Sequence, residues 1–116
     1  MRILFDHGTP RGLMSFLSKH SVTTARAQGW ERLVNGLLLK SAEEAGFDLL
    51  LTTDGKMRFQ QNLSNRTIVI LVLTECTKWT QVRLHLERIA AAADAVAPGS
   101  YTEVQIPYPS GRVLPS

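Results

Sequence analysis

The sequence predicts an α/β fold, specifically a three-layer α/β/α sandwich with a mainly parallel sheet. Short strand-like runs alternate with stretches in which apolar residues recur at helical spacing, which is the pattern of successive βα units. The run TIVILVL at 67–73 is typical of a strand buried on both faces of a sheet. A chain of 116 residues has room for one domain, which we place at residues 1–106. Residues 107–116 are predicted to be an extended or disordered tail.

The first half of the chain contains three predicted strands and two predicted helices. Strands are expected at 2–5 and 20–25, and the helix between them begins near Pro10, where the missing N–H costs nothing. The second helix is expected from about Asn35 to Ala45, and a glycine follows it as a C-cap. A third strand over 48–53 follows at once. The alternation favours parallel strands joined by helices.

The second half is predicted to add two strands and one helix. The buried run at 67–73 is followed by a helical pattern over 79–97, which Pro98 and Gly99 end. The segment YTEVQI at 101–106 alternates apolar and polar residues, which is the pattern of an edge strand with one solvent-exposed face. An exposed edge favours self-association or pairing with a second protein, so a homodimer or a protein partner is expected.

Composition and charge narrow the class of protein. A formal net charge of +3 permits an anionic partner without identifying one. Cys76 is the only cysteine, which excludes an intrachain disulfide and a cysteine-based zinc site. No apolar run approaches the roughly 20 residues of a membrane-spanning helix, and the start of the chain lacks a signal-peptide pattern. We therefore expect a cytoplasmic protein that does not enter a membrane.

Two aspartates follow predicted buried strands, at the points where the chain should reach the protein surface. MRILF runs into Asp6, and LLLTT runs into Asp54. If their strands are neighbours in a parallel sheet, both carboxylates emerge at one edge, where ligands bind in such sheets. A divalent cation between them would remove their mutual repulsion, and hard oxygen ligands favour Mg²⁺ or Mn²⁺. Taken singly, an Asp after a strand is equally a turn former or an N-cap.

Basic and titratable residues flank both acids. Next to Asp6, His7 has two interpretations: contact with a phosphate or proton transfer, and simple capping of the turn. Lys56 and Arg58 precede QQN at 60–62 and form a polar, basic loop suited to a phosphate backbone, which Arg11 would join. The alternative for this loop is a solvated surface of ordinary charge. We assign His7, Arg11, Lys56 and Arg58 to substrate binding.

The segments MRILFDHGTPRGL, VTTARAQGW, NGLLLKSAEEAGFDLLLTTDGKMRFQQNL and TIVILVL carry a family resemblance. In combination they resemble the small PIN-like domains described as toxins of toxin–antitoxin pairs, over roughly residues 1–105. The resemblance implies a PIN-type fold and metal-dependent ribonuclease chemistry. It also implies that Asp6 is the first metal-binding acid and Asp54 the acid of the TTD motif.

The sequence departs from this family at two positions. Many relatives have an acid at the start of the middle helix, where this chain has Asn35, and a second acid two residues after the TTD aspartate, where it has Lys56. On the resemblance, Asn35 would be a neutral ligand or would orient a water. A two-metal nuclease needs enough anionic oxygens for both ions, so the two acids suit one Mg²⁺. The other nearby acids, Glu43, Glu44 and Asp48, are predicted to be structural.

The resulting expectation is a PIN-like, metal-dependent endoribonuclease that acts as the toxin of a toxin–antitoxin pair. Its partners would be RNA and an antitoxin protein. The alternative is a non-catalytic PIN-like module that binds RNA or a protein, and the departures at Asn35 and Lys56 favour it. A third possibility is a pure interaction protein whose partner covers the crevice.

Overall fold

The computed structural model of the chain describes residues 1–33, 35–55 and 67–109, with Asn35 described by its backbone alone. Five strands form one sheet in the order β2-β1-β3-β4-β5, and every pairing is parallel. The strands are β1 Arg2–Phe5, β2 Ser21–Thr24, β3 Leu49–Thr52, β4 Val69–Glu75 and β5 Tyr101–Ile106. The predicted α/β class and the parallel sheet are confirmed.

Four short helices connect these strands within the described residues. They are α1 Leu13–Phe16, α2 Asn35–Glu44, α3 Trp79–Val82 and α4 Leu86–Ala95. The continuous helix predicted over 79–97 is interrupted, because Arg83–His85 form a 3₁₀ turn between α3 and α4. His85 leaves helical geometry at φ −125° and ψ 26°, so α4 begins anew after it. None of the described helices has the length and apolar character to cross a bilayer.

Strand alternation distributes the core over both faces of the sheet. In β3, Leu49 and Leu51 join the cluster that contains helices α1 and α4, whereas Leu50 joins the cluster that contains α2. All three leucines are fully buried. Successive strand residues point to opposite faces, so a strand covered by helices on both sides reads as a continuous apolar run. Each such leucine contributes about 2 kcal/mol of hydrophobic stabilisation.

The first helix is shorter than its sequence pattern predicts. Helix α1 ends at Phe16, because Leu17 already has φ −100° and ψ 30°. Leu13 and Leu17 are buried, but Phe16 is 41% exposed and does not belong to the core. Gly12 precedes this helix, and a Cβ there would overlap the ring of Trp79. The indole therefore packs directly on the backbone at the start of α1.

The strand order creates a switch point between β1 and β3. After β1 the chain adds β2 on one side, then crosses to place β3 on the other side of β1. In open parallel sheets with this order, ligands bind in the crevice at the carboxyl ends of the two strands where the order reverses. Phe5 of β1 lies opposite Leu51 of β3, so both strands end at nearly the same level.

Candidate active site at the carboxyl edge of the sheet

The two predicted metal-binding acids lie at the switch point. Asp6 immediately follows β1, and Asp54 lies two residues beyond the end of β3. The backbone N–H of Asp6 donates to the carbonyl of Leu51 at 2.9 Å, which extends the pairing of the two strands by one residue. Both acids therefore occupy the same edge of the sheet, on neighbouring strands.

Thr52 links the two acids. Its side chain is fully buried, and its hydroxyl donates to Asp6 Oδ2 at 2.8 Å. The same oxygen accepts a hydrogen bond from the backbone N–H of Asp54 at 3.0 Å. A buried hydroxyl needs partners of this kind, and here both of its roles are used at the site. The last residue of β3 thus fixes the orientation of Asp6 and the path of the chain at Asp54.

The second oxygen of Asp6 is also held. Asp6 Oδ1 accepts the backbone N–H of His7 at 2.7 Å, so each carboxylate oxygen accepts one hydrogen bond from the described residues. A carboxylate has about four lone-pair directions, which leaves acceptor capacity on both oxygens for a cation. His7 itself has an exposed side chain. The orientation of Asp6 is therefore set by the protein before any ligand arrives.

The loop after β1 is fastened across the end of β3. The Thr9 hydroxyl donates to the carbonyl of Leu51 at 3.1 Å, and its N–H donates to the carbonyl of Asp6 at 3.2 Å. Gly8 has φ +80°, which favours glycine, and a Cβ there would lie 3.2 Å from the Thr53 hydroxyl. The short distance explains why position 8 is a glycine. It also shows that the loop after β1 packs against the segment that leads to Asp54.

A second threonine lies near the site on the next strand. Thr52 is opposite Val72 of β4, and Thr74 follows Val72 by two residues on the same face of the sheet. The hydroxyl of Thr74 is buried and has no hydrogen-bond partner within the described part of the chain. A buried hydroxyl without a partner is costly, so this oxygen is suited to receive a water or a ligand. Sequence reasoning did not identify either threonine.

Asn35 begins helix α2, whose direction places that residue toward the same edge. The far end of α2 leads through Phe47 to Asp48, whose N–H donates to the carbonyl of Arg2 at 2.8 Å. That contact marks the amino edge of the sheet. The helix packs on the face that carries Leu4 and therefore runs back from the carboxyl edge, where its first residue lies.

A cleft of about 350 Å³ opens between the ends of β1 and β2, beside Asp6. The residues that line it come from the loop after β1 and the turn after β2: Phe5, Asp6, His7, Gly8, Thr9, Arg11, Thr24, Ala25 and Arg26. His7 and Arg11, both predicted to bind substrate, thus share one cleft with the acid. Arg26 was missed, although it follows β2 by two residues, as Asp54 follows β3.

The other residues that the sequence analysis named are not among those that line this cleft. Lys56 and Arg58 lie outside the described residues. Glu43 accepts the backbone N–H of Thr67 at 2.8 Å, and Asp48 accepts that of Arg2 at 2.8 Å. Both of these acids therefore accept backbone N–H groups at the amino edge of the sheet, in agreement with their predicted structural role.

The donors at the site are all hard oxygens. Asp6 and Asp54 have carboxylate side chains and follow neighbouring strands at one edge of the sheet, and strand alternation places Thr52 and Thr74 on one sheet face. The described part of the chain has no cluster of three or more His, Cys, Asp or Glu side chains at metal-binding spacing. Mg²⁺ usually keeps several waters and binds one or two carboxylates together with substrate phosphates. A pair of aspartates with neighbouring hydroxyls fits this mode of binding.

The clearest pKa shift in the described residues occurs far from this site. On α4, hydrogen bonds from Lys19 and then from His20 hold the pKa of Asp94 below its usual value. Lys19 Nζ lies 3.0 Å and His20 Nε2 lies 2.9 Å from the carboxylate. This cluster ties the start of β2 to α4 and belongs to the framework of the fold.

Comparison of the chain with models of protein families, with curated proteins and with solved structures finds no match.

Proposed function

We propose that this protein is a PIN-like, metal-dependent endoribonuclease and the toxin of a toxin–antitoxin pair. The observation that carries the proposal is the position of Asp6 and Asp54 at the ends of neighbouring parallel strands, with the buried Thr52 hydroxyl between them. The sequence resemblance supplies the reaction class. The cationic cleft beside Asp6 is consistent with a polyanionic substrate.

Asp6 and Asp54 would hold one Mg²⁺ or Mn²⁺. When bound, the ion supplies an activated water for in-line attack on a phosphodiester and stabilises the charge that develops. Thr52 fixes the Asp6 carboxylate through its hydrogen bond to Oδ2. Asn35, at the start of α2, would orient water or serve as a neutral ligand. A preoriented carboxylate loses little freedom when it binds an ion, which favours binding.

RNA cleavage by the purified chain tests the proposal. We expect single-stranded RNA to be cleaved in Mg²⁺ or Mn²⁺ and the reaction to stop on addition of a chelator. Asp6→Asn and Asp54→Asn keep the side-chain shape but remove a charged ligand, so activity should fall by about two orders of magnitude or more. Asp48→Asn is the matched control, because it makes the same change at the opposite edge of the sheet and should retain activity. If the wild-type chain shows no metal-dependent RNA cleavage, the nuclease proposal is rejected.

A non-catalytic PIN-like module is the second candidate. Asn35 and Lys56 stand where many PIN-like relatives have acids, which favours a fold that has lost its metal and kept RNA or protein binding. A thermal melt with and without divalent metal separates the two candidates. A ligand at 100 times its Kd stabilises the folded state by about 2.7 kcal/mol, so a catalytic site should raise Tm in Mg²⁺. An unchanged Tm supports the binding module.

Association is the remaining part of the proposal. Strand β5 is an edge of the sheet, paired only with β4 among the described strands, and an antitoxin or a second copy would pair or pack there. The protein would act on RNA in the cytoplasm. Light scattering should show a dimer or a complex with a co-purified partner. A strict monomer at high concentration, with no partner, would count against this part alone.

A further inference from the structure

We propose that the cleft between the ends of β1 and β2 binds a backbone phosphate of single-stranded RNA, with Arg11 and Arg26 as the binding residues. This inference rests on the proposed function in that it takes RNA as the ligand. The inference adds Arg26 to the binding residues. It also places the bound RNA strand in a defined position, on the β2 side of Asp6.

The two arginines approach the cleft from separate segments of the chain. Arg11 belongs to the loop between β1 and α1, and Arg26 belongs to the turn after β2. Both side chains are exposed, and neither guanidinium has a hydrogen bond or an ion pair with any residue in the described ranges. Guanidinium groups bind phosphate through two parallel N–H donors, so a pair of free arginines across one cleft is suited to a phosphodiester.

The charge balance of the cleft also favours an anion. Among the described residues that line it, Asp6 is the only acid, against Arg11 and Arg26. Both oxygens of Asp6 accept hydrogen bonds from the protein, which partly offset the negative charge of this carboxylate. A divalent ion held by Asp6 would cancel the remaining negative charge. The cleft would then present only cationic and neutral groups to a ligand.

The loop that carries Arg11 is anchored, which makes the cleft a defined surface. Thr9, two residues earlier, is bonded to Leu51 and to Asp6. On the other wall, the Thr24 hydroxyl accepts the N–H of Ala27 at 3.0 Å and shapes the turn that contains Arg26. A volume of about 350 Å³ is within the usual range of small-ligand clefts. A phosphate seated there would lie next to the scissile bond at Asp6.

Binding of an uncleaved RNA tests the inference separately from catalysis. The probe is a fluorescently labelled 12-nucleotide single-stranded RNA, titrated with the full chain in EDTA at several salt concentrations. We expect Arg26→Ala and Arg11→Ala each to weaken binding about tenfold and to reduce the slope of log K against log salt by about 0.7, the value for one phosphate contact on a single strand. Arg26→Lys should restore the salt slope but only part of the affinity, since lysine cannot bind phosphate bidentately.

Arg88→Ala is the matched control. Arg88 is another exposed arginine, on α4, and its replacement changes the net charge by the same amount. Equal effects of Arg88→Ala and Arg26→Ala would overturn the inference, because binding would then follow overall charge. Failure of the wild-type chain to bind the RNA would overturn it as well. Inorganic phosphate that competes at the same concentration as the oligonucleotide phosphates would indicate a free-anion site and also contradict an RNA backbone site.

The outcomes for the two proposals are distinguishable. RNA binding that depends on Arg26, without any cleavage in Mg²⁺, rejects the nuclease and leaves the inference standing. Cleavage in Mg²⁺ whose KM is unchanged in Arg26→Ala supports the nuclease and rejects the inference. All comparisons require variants whose far-ultraviolet circular dichroism and Tm match the wild type, which substitutions of exposed arginines should satisfy.

Discussion

Replacing Thr52 with valine should destabilise the protein through the loss of a single hydroxyl. Valine has nearly the same volume and the same preference for strands, so β3 and its apolar contacts should be retained. The hydroxyl that is lost donates to the Asp6 carboxylate and accepts the Asp54 N–H. The perturbation is therefore confined to two hydrogen bonds beneath the candidate metal site.

The expected magnitude follows from the surroundings of those bonds. A hydrogen bond to a charged group contributes about 1.5–3 kcal/mol net, and a neutral one about 1 kcal/mol. Thr52 is fully buried, but Asp6 is partly exposed and water can replace part of what it loses. We therefore expect the free energy of unfolding to fall by about 2 kcal/mol, which corresponds to a decrease in Tm of about 8 °C for a domain of this size.

A double-mutant cycle in urea isolates the contact between the two side chains. Thr52→Val, Asp6→Ala and the double variant should give a coupling energy of about 1.5 kcal/mol. Thr52→Ser is the control, because it keeps the hydroxyl and should retain most of the coupling while losing a methyl group. A coupling energy below about 0.5 kcal/mol would show that Thr52 does not hold Asp6, and would refute the argument that the carboxylate is preoriented.

Three further outcomes are expected elsewhere in the chain. Asn35→Asp and Lys56→Asp should strengthen Mg²⁺ binding if the crevice is a weakened nuclease site, measured as a larger rise of Tm in Mg²⁺ than the wild type shows. Because the pKa of Asp94 is lowered below its ordinary value of 3.8 in the folded protein, its charge stabilises the fold above that pH. The stability difference between wild type and Asp94→Asn should therefore shrink as the pH falls through the folded pKa of Asp94. Gly12→Ala should cost about 1–2 kcal/mol through its clash with Trp79, and in a Trp79→Leu background the same change should be neutral or stabilising.

The framework of the fold was readable from the sequence because local patterns determine it. The first strand was predicted at 2–5 and is observed at Arg2–Phe5, and the second helix was predicted from Asn35 and begins there. The apolar run at 67–73 predicted a strand buried on both faces, and residues of β4 do belong to the core clusters on both faces of the sheet. The spacing of apolar residues, together with the glycines and prolines that end helices and strands, is enough to predict such elements. The break at Arg83–His85 was not predicted, since the apolar spacing continues across it.

The candidate site was predictable only in part. The rule that ligands bind at strand ends identified Asp6 and Asp54, because this rule needs only the position of a residue along the sequence of a strand. The contributions of Thr52 and Thr74 depend on contacts between distant segments, such as the hydrogen bond from Thr52 to Asp6 across 46 positions of sequence. No local pattern encodes such a contact. Arg26 was within reach of the same strand-end rule, had it been applied to β2 as well.

The strand order also has a consequence for synthesis from the N-terminus. The cationic cleft is built entirely from residues within the first 26, whereas Asp6 gains its contact with Thr52 only when β3 pairs with β1. Until then β1 has an open edge with unpaired backbone N–H and C=O groups, because β2 covers only its other side. Parallel pairing over such separations is slow, so this edge is exposed for part of the folding time. Pairing of β3 with β1 therefore both covers this edge and forms the hydrogen bond between Thr52 and Asp6.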